Sequence, residues 1–134
     1  RQVSEMFLRA GEADLMAKTK YSDRVVFAWF KEFKIPEPRV EYEYALPRKF
    51  RADYAWPDKF LLLEVEGGIF SHGAHGSISG ILNDIERAQH ASMNGFRVFK
   101  VQPDELCMTE TAEMIKKALE WKPPGFELEE ETDG

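Results

Sequence analysis

The sequence predicts an α/β fold in which a central sheet is flanked by helices. Apolar residues recur at helical spacing between residues 22 and 33, alternate with polar residues from 39 to 56, and form a nearly continuous run from 60 to 65. These patterns are typical of an amphipathic helix, of strands with one buried face and of a strand buried on both faces. A further helix, strand and helix follow, so the predicted order is helix, three strands, helix, strand, helix.

The predicted helices begin and end at residues with recognisable capping or breaking chemistry. Ser22 or Asp23 begins the first helix, which stops before Pro36 because proline cannot continue a helix. Gly95 is a natural C-cap for the second. The helices are expected at about residues 22–33, 81–94 and 103–121, with one or two shorter ones within 4–18. One face of the second helix carries Ile81, Ile85, Ala88 and either Ala91 or Ser92.

Four strands are predicted, at about residues 39–46, 50–56, 60–65 and 96–101. Pro47 and Arg48 are expected to form the turn between the first two strands, and the alternation in the first places Leu46 on the same, buried face as Tyr44. In the second strand the alternation places Asp53 on the face opposite the aromatic residues. The third strand, almost entirely apolar, is expected to be central in the sheet.

Length and composition are those of one globular domain, which we expect to span residues 1–125. Residues 126–134 contain five acids and no base and are expected to form a disordered tail. Without this tail the chain carries 19 acidic and 18 basic side chains, a net charge of −1 compared with −6 for the whole. Such a near-neutral body is compatible with DNA binding, whereas a uniformly acidic surface is not.

The sequence also indicates the environment of the protein. No apolar run approaches the roughly 20 residues of a membrane helix, and no signal peptide is visible, so no membrane partner is expected. The single cysteine, Cys107, cannot form an intrachain disulfide. A reducing, cytoplasmic setting is the simplest interpretation.

Three carboxylates lie close together in the sequence: Asp53 on one predicted strand, and Glu64 and Glu66 on the next. If Asp58 and Lys59 form a two-residue turn, residue 53 opposes residue 64 with Cβ atoms about 5 Å apart, and residue 66 follows on the same face. Clustered carboxylates repel one another unless a cation compensates their charge. A solvated strand surface with basic partners is one explanation, and a Mg²⁺ site suited to phosphodiester hydrolysis is the sharper one.

The spacing of these acids resembles that of a known nuclease superfamily. Asp53, ten intervening residues and Glu64-Val65-Glu66 are similar to the catalytic pattern of the PD-(D/E)XK nucleases, whose restriction-endonuclease-like fold has the same order of helix, three strands, helix and strand. The likeness continues through the Gly/His-rich loop with His75-Gly76 and through NDIERAQHASMNGFRVFKV, and covers roughly residues 22–105. Within the superfamily, the chain resembles small nucleases of phages and prophages, some of them related to Holliday junction resolvases.

The resemblance implies roles for particular residues. Asp53 and Glu64 would bind a metal ion, with the backbone carbonyl of Val65 as a third ligand; Mg²⁺ is the implied cofactor and Mn²⁺ its substitute. Glu66 stands where the family usually has a lysine, so it cannot supply that positive charge, although it can accept a proton or help to hold the metal. Asp53, Glu64 and Glu66 are thus the expected catalytic residues.

Further residues are expected around this site. Many family members add an acid from the first helix, for which Asp23 is the nearest candidate and Glu32 the alternative. Arg87 either supplies the positive charge that Glu66 lacks or pairs with Asp84 on the same helix. The expected DNA contacts are Arg48, Lys49, Arg51, His75 and Arg87. A solvated turn is the alternative explanation for the first three, and an ordinary loop position is the alternative for the histidine.

The expected function is therefore Mg²⁺-dependent hydrolysis of phosphodiester bonds in DNA. A structure-specific endonuclease of the Holliday junction resolvase type, acting on a four-way junction, is the first choice, because the chain is small and shows no separate sequence-reading domain. Symmetric cutting of two strands needs two active sites, so a homodimer is expected. The resemblance places the protein in a bacterial cytoplasm, encoded by a phage or prophage. The alternatives are a restriction-type or nicking endonuclease on duplex DNA and a non-catalytic DNA-binding module that kept the fold.

Overall fold

A computed structural model describes residues 21–67 and 77–125, which form three α-helices and one four-stranded sheet. The helices are α1 (Asp23–Glu32), α2 (Ile78–Met93) and α3 (Thr109–Glu120). The strands are β1 (Arg39–Ala45), β2 (Arg48–Trp56), β3 (Leu61–Val65) and β4 (Arg97–Val101). This order confirms the predicted α/β class. The helices expected within 4–18, the loop that contains His75, and the acidic tail lie outside the described residues.

The sheet is mixed and has the spatial order β1-β2-β3-β4. β1 pairs antiparallel with β2, β2 pairs antiparallel with β3, and β4 lies parallel to β3. A parallel pair needs a crossover connection, and α2 lies within it. β3 is buried on both faces, because Leu61 and Leu63 pack on one side of the sheet and Leu62 packs on the other. The apolar run thus forms a central strand, as predicted.

Apolar clusters cover both faces of the sheet. On one side, α1 and α3 pack against it through Trp29, Phe30 and Ile115, which are almost completely buried. On the other side, the one buried residue that α2 contributes is Ala91. The larger apolar side chains of α2 are exposed, namely Ile78, Ile81, Leu82, Ile85 and Met93. The periodicity of α2 is therefore helical, as predicted, but most of its apolar residues do not reach the core.

Local chemistry determines where the helices begin. The Ser22 hydroxyl accepts a hydrogen bond from the first turn of α1, as predicted, and the Ser77 hydroxyl caps α2 in the same way, so that α2 begins three residues earlier than expected. The prediction is wrong at the start of the third helix. Residues 103–105 form a separate 3₁₀ turn, and Cys107, whose φ is 63°, keeps this turn from continuing into α3.

Within residues 21–67 and 77–125, no helix is long and apolar enough to cross a membrane.

The alternation of β1 breaks before its predicted end. The pairing of β1 with β2 shifts register between Glu43 and Ala45, which buries Ala45 and leaves the side chain of Leu46 72% exposed. The predicted buried position of Leu46 is therefore wrong. The turn falls at residues 46–47 instead of Pro47 and Arg48, and β2 already begins at Arg48.

The two leucines Leu62 and Leu46 provide a test of this core. Leu62→Ala should lower the free energy of unfolding by about 2–5 kcal/mol, because it opens a cavity beside a fully buried strand. Leu46→Ala, at an exposed turn, should change it by less than about 0.5 kcal/mol. Urea unfolding followed by circular dichroism measures both. Equal effects of the two substitutions would show that the assignment of buried and exposed leucines is wrong.

Candidate functional site

The candidate site lies on the hairpin formed by β2 and β3. Tyr54 lies opposite Leu63, so one step further along the same register Asp53 meets Glu64. A 3₁₀ turn of residues 57–59 connects the strands. The register is the predicted one, but the predicted two-residue turn of Asp58 and Lys59 is wrong, because residues 57–60 connect the strands. The register places the two carboxylates on neighbouring strands at the end of the hairpin that is remote from the turn.

Asp53 marks the point at which the two strands stop pairing. Its Oδ2 accepts a hydrogen bond from the Val65 N–H (2.7 Å), so the carboxylate binds a backbone donor of the neighbouring strand. The next N–H along the chain, that of Glu66, points the other way and donates to the carbonyl of Val101 in β4 (2.7 Å). Because the N–H and C=O of one residue in a strand project to the same side, the Val65 carbonyl lies on the side of Asp53.

The aromatic residues of β2 do not all share one face. Tyr54 and Trp56 pack in the cluster with α1 and α3, whereas Phe50 packs in the cluster beneath α2. The prediction that Asp53 lies opposite every aromatic residue of its strand is therefore wrong for Phe50. The consequence is that Phe50 lies on the side from which α2 approaches the site.

Glu64 is held by an ion pair with α2. Its Oε2 lies 3.1 Å from Nη2 of Arg87, and the two side chains are largely buried, with 15% and 23% of their surface exposed. The same guanidinium nitrogen donates to the carbonyl of Arg51 (2.7 Å). Arg87 therefore reaches the predicted acids and brings a positive charge to them.

Two aromatic rings and a hydroxyl hold Arg87 in place. Its Cζ lies 5.4 Å from the ring centroid of Phe50 and 5.8 Å from that of Tyr44, within the range of cation–π contacts. The Tyr44 hydroxyl donates to the Arg87 carbonyl (3.4 Å). Burial raises the pKa of Tyr44 to about 12, while the charge of Arg87 lowers it and that of Glu64 raises it. At neutral pH the phenol is therefore protonated and serves as a hydrogen-bond donor.

Glu66 faces a lysine of the neighbouring strand. Lys100 Nζ lies 3.8 Å from Glu66 Oε2, and Lys100 is also the residue of β4 that pairs with Glu64 in the parallel ladder. The lysine is about half exposed, so the ion pair contributes at most about 1 kcal/mol to stability. The position of Lys100 matters more than the strength of the ion pair. It places a positive charge beside Glu66, where the nuclease superfamily that the sequence resembles usually has a lysine.

Asp23, the predicted acid of the first helix, is bound to Tyr54. The Tyr54 hydroxyl donates to Asp23 Oδ1 (2.7 Å). Burial, this hydrogen bond and the charges of Asp23 and Asp53 all raise the pKa of Tyr54. Asp23 is thus held by the Tyr54 phenol, and both Asp23 and Asp53 lie near enough to that phenol to raise its pKa. Glu32, the alternative, lies at the other end of α1, roughly 13 Å further along the helix axis.

The predicted phosphate contacts of β2 are engaged with acids in this structure. Arg48 forms an ion pair with Glu86 of α2, and Arg51 Nε lies 3.7 Å from Glu43 Oε2. Lys49, between them, is exposed. The three residues form a basic segment beside Asp53, and their contact with DNA remains a prediction.

The oxygen atoms of the site suit a hard divalent cation. Asp53 and Glu64 lie on paired strands and the Val65 carbonyl projects to the side of Asp53, while Mg²⁺ in proteins takes one or two carboxylates and completes its shell with water and phosphate oxygens. Glu66 and Asp23 are turned towards Lys100 and Tyr54. In the described part of the chain, no three acidic, histidine or cysteine side chains are grouped as a metal site. Any cation there would be held by the two carboxylates of Asp53 and Glu64.

Sequence reasoning missed two residues of this site. Lys100 interrupts the otherwise apolar face of its strand that carries Phe96 and Val98, and this interruption is a signal that the sequence does contain. Tyr44 gives no such signal, because an aromatic residue in an alternating strand is typical of a core position. Its bond to Arg87 joins residues 43 positions apart, which local periodicity cannot predict.

Comparison with known proteins returned no match: no family model, no curated protein and no solved structure matches the chain. The resemblance to nucleases thus remains a prediction that rests on the acidic motif and its neighbouring segments. The geometry of Asp53, Glu64 and their partners is the independent observation that the structure adds to it.

The raised pKa of Tyr44 predicts how stability depends on pH. The unfolded chain ionises tyrosine near pH 10, whereas Tyr44 in the folded protein ionises only at about 12. Its contribution to stability is therefore fully present below pH 10 and is lost between pH 10 and about 12. Tyr44→Phe should flatten the fall in the free energy of unfolding across this interval. Urea unfolding at pH 8, 10 and 11 measures the slope, and a slope equal to that of the wild type would contradict a buried phenol.

Proposed function

We propose that the protein is a metal-dependent DNA endonuclease with a restriction-endonuclease-like core. The observation that carries the proposal is the placement of Asp53 and Glu64 in one register of the β2–β3 hairpin, where the two strands separate. The element order α1-β1-β2-β3-α2-β4 is also that of the superfamily that the sequence resembles. An acidic motif occurs often by chance, but here it falls on adjacent strands of a mixed sheet beside a crossover helix.

Asp53, Glu64 and the Val65 carbonyl would hold the metal ion, which is Mg²⁺ or, as a substitute, Mn²⁺. Such an ion positions and acidifies a water molecule and neutralises the charge that develops on the phosphate. The Val65 N–H fixes the orientation of the Asp53 carboxylate through one of its oxygens. Glu64 is paired with Arg87, so binding of the metal requires this carboxylate to exchange part of that contact for the ion.

Two basic residues would replace the lysine that position 66 lacks. Arg87 lies beside Glu64, and Lys100 lies beside Glu66 and in register with Glu64. Charged N–H donors of this kind bind phosphate oxygens strongly. In this arrangement Arg87 and Lys100 supply the positive charge. Glu66 orients Lys100 or accepts a proton from the attacking water.

Branched DNA is the proposed substrate, as for a Holliday junction resolvase. All the described elements belong to one sheet and the helices that cover it, so the described part of the chain offers a compact surface that suits recognition of DNA shape. Arg48, Lys49 and Arg51 lie directly before Asp53 and supply phosphate contacts next to the acids. A restriction-type or nicking enzyme on duplex DNA is the second candidate within the same chemistry.

Cleavage assays test the proposal directly. With Mg²⁺, the protein should cut a four-way junction in preference to the matching linear duplex, and a chelator should abolish cutting. Asp53→Asn and Glu64→Gln should each lower the rate roughly a hundredfold or more, because a metal ion supplies several kcal/mol of transition-state stabilisation. Gel-resolved cleavage of labelled DNA gives the rates, and DNA binding should persist in both variants.

The matched control is Glu113→Gln, which removes one exposed acid from α3 and should leave the rate unchanged. Thermal unfolding by circular dichroism establishes that each variant is folded. Preferential cutting of linear duplex would favour the restriction-type or nicking enzyme. Binding without cutting in any metal would leave only the non-catalytic DNA-binding module.

A homodimer is the proposed assembly, and α2 is the surface proposed to form it. Cutting two strands symmetrically requires two active sites, and a two-fold axis places the same surface of each copy against the other. Ile78, Ile81, Leu82 and Ile85 recur at the spacing of one helix face and are all exposed. Single exposed apolar residues are ordinary, but a continuous stripe of them is typical of an interface. Arg87 lies on the opposite face of α2 from this stripe and contacts Glu64 there, so the width of the helix would separate such an interface from Glu64.

The assembly is tested by light scattering coupled to size-exclusion chromatography. The wild type should have the mass of a dimer, and the double substitution Ile81→Glu and Ile85→Glu should convert it to a monomer, because buried unpaired charge is costly. Met114→Glu introduces the same charge at an exposed apolar position of α3 and should leave the dimer intact. A wild-type monomer would contradict the proposed assembly.

A further inference from the structure

A concave surface lies at the turn of the β2–β3 hairpin, the end opposite to Asp53 and Glu64. It has a volume of about 920 Å³ and is bounded by the C-terminal ends of α1 and α3 and by the turn of residues 57–59. We call it the hairpin groove. Phe60, one of its lining residues, is separated from Glu64 by four residues of extended chain, roughly 13 Å. The groove is therefore distinct from the candidate metal site.

The hairpin groove is strongly basic in a chain that is acidic overall. Five basic side chains line it: Lys34, Lys59, Arg97, Lys116 and Lys122. Two acids, Asp58 and Glu120, also line it, which leaves an excess of three positive charges in a protein whose net charge is −6. The C-terminal ends of α1 and α3, and that of α2 beside Gly95, bring about −0.5 charge each, and the groove is still positive by about 1.5 charges after that correction.

Two aromatic rings are exposed within this basic surface. Trp121 is 53% exposed and Phe60 is 52% exposed, although large aromatic side chains usually bury most of their surface. Phe60 adopts a left-handed backbone conformation, with φ of 50°, which is strained for a bulky residue. This conformation ends the 3₁₀ turn, whose last hydrogen bond runs from the Phe60 N–H to the Pro57 carbonyl (3.0 Å), and so fixes the position of the exposed ring.

Arg97 fixes the shape of the hairpin groove. Its Nη1 donates to the carbonyl of Ala118 (2.8 Å) and its Nη2 donates to the carbonyl of Lys59 (3.0 Å), so it joins the end of α3 to the hairpin turn. Its guanidinium also lies over Trp121, with Cζ 5.0 Å from the ring centroid. One face of the indole is thus supported from within the protein, and the ring is held ready to stack on a ligand.

We propose that the hairpin groove binds an unpaired nucleic-acid strand. Exposed aromatic rings beside basic side chains are the combination that single-strand binding uses, because bases stack on the rings while phosphates contact the cations. A paired base is covered by its neighbours in the helix and cannot stack on Trp121. An acidic peptide would satisfy the lysines, but its carboxylates offer no planar group to the two rings.

This inference rests on the proposed function, because the partner is again a nucleic acid. It adds that the protein recognises unpaired nucleotides of its substrate. It does not depend on cleavage. If the groove binds single strands but the protein cuts no DNA, this inference stands and the proposed nuclease activity is wrong. If the protein cuts junctions but substitutions in the groove do not affect single-strand binding, the nuclease activity stands and this inference is wrong.

Tryptophan fluorescence gives a direct test. The chain has three tryptophans, and Trp29 and Trp56 are buried, so ligand quenching reports on Trp121. The full chain is titrated in chelator with a 12-nucleotide oligothymidylate, and the dissociation constant is measured in parallel by anisotropy of a labelled strand. The oligonucleotide should quench the fluorescence. Trp121→Ala should weaken binding about 5- to 100-fold, the range for loss of one base–aromatic stack.

Neighbouring lysines of α3 provide a matched control. Lys116 lines the groove and Lys117 does not, so Lys116→Glu should weaken binding roughly tenfold through loss of a phosphate contact, while Lys117→Glu, with the same net charge, should weaken it less than about threefold. Glu113→Gln, at an exposed position of α3 that does not line the groove, should bind as the wild type does. Equal losses at both lysines, no quenching, or stronger quenching by a 12-residue polyglutamate than by the oligonucleotide would each overturn the proposal.

Discussion

The pairing of β2 with β3 in a single register is the constraint on which the rest of the structure depends. Side chains alternate along a strand, so a slip of one residue would turn Glu64 away from Asp53 and move each leucine of β3 to the opposite apolar cluster. Two features of the hairpin determine this register. A 3₁₀ turn closes the hairpin at residues 57–59, and the leucines of β3 pack on both faces of the sheet. The candidate site is therefore positioned by burial of the core.

Charge compensation is the second organising feature. Within the described residues, Glu64 is paired with Arg87 from α2, and Glu66 with Lys100 from β4. The site is thus close to neutral before any ligand binds, although the chain as a whole is acidic. The partners come from two different elements, so the electrostatics of the site depend on the packing of α2 and β4 against the hairpin. Loss of either contact would leave a partly buried acid without its cation.

The sequence allowed the hairpin to be predicted but left most contacts of the site open. The register of Asp53 and Glu64 was predicted from simple alternation and a two-residue turn, both local properties. The connection is instead a 3₁₀ turn of residues 57–59, which keeps the same register. The sequence left two alternatives for Arg87, a place beside the acids or a pair with Asp84, because 23 residues separate it from Glu64 and a helical pattern does not show what the helix packs against. The exposure of α2 escaped prediction for the same reason. Leu46 was misplaced because a register shift in β1 has no signature in the apolar pattern.

The irregularity of β1 has a consequence for how the protein behaves at high concentration. β1 is at the edge of the sheet, where a regular strand presents unpaired backbone groups that can recruit a strand from another molecule. Glu41 departs from extended geometry, with φ of 51°, and the register of the pairing shifts between Glu43 and Ala45. The exposed rim of the sheet is therefore bent and charged, and it is a poor template for edge-to-edge aggregation.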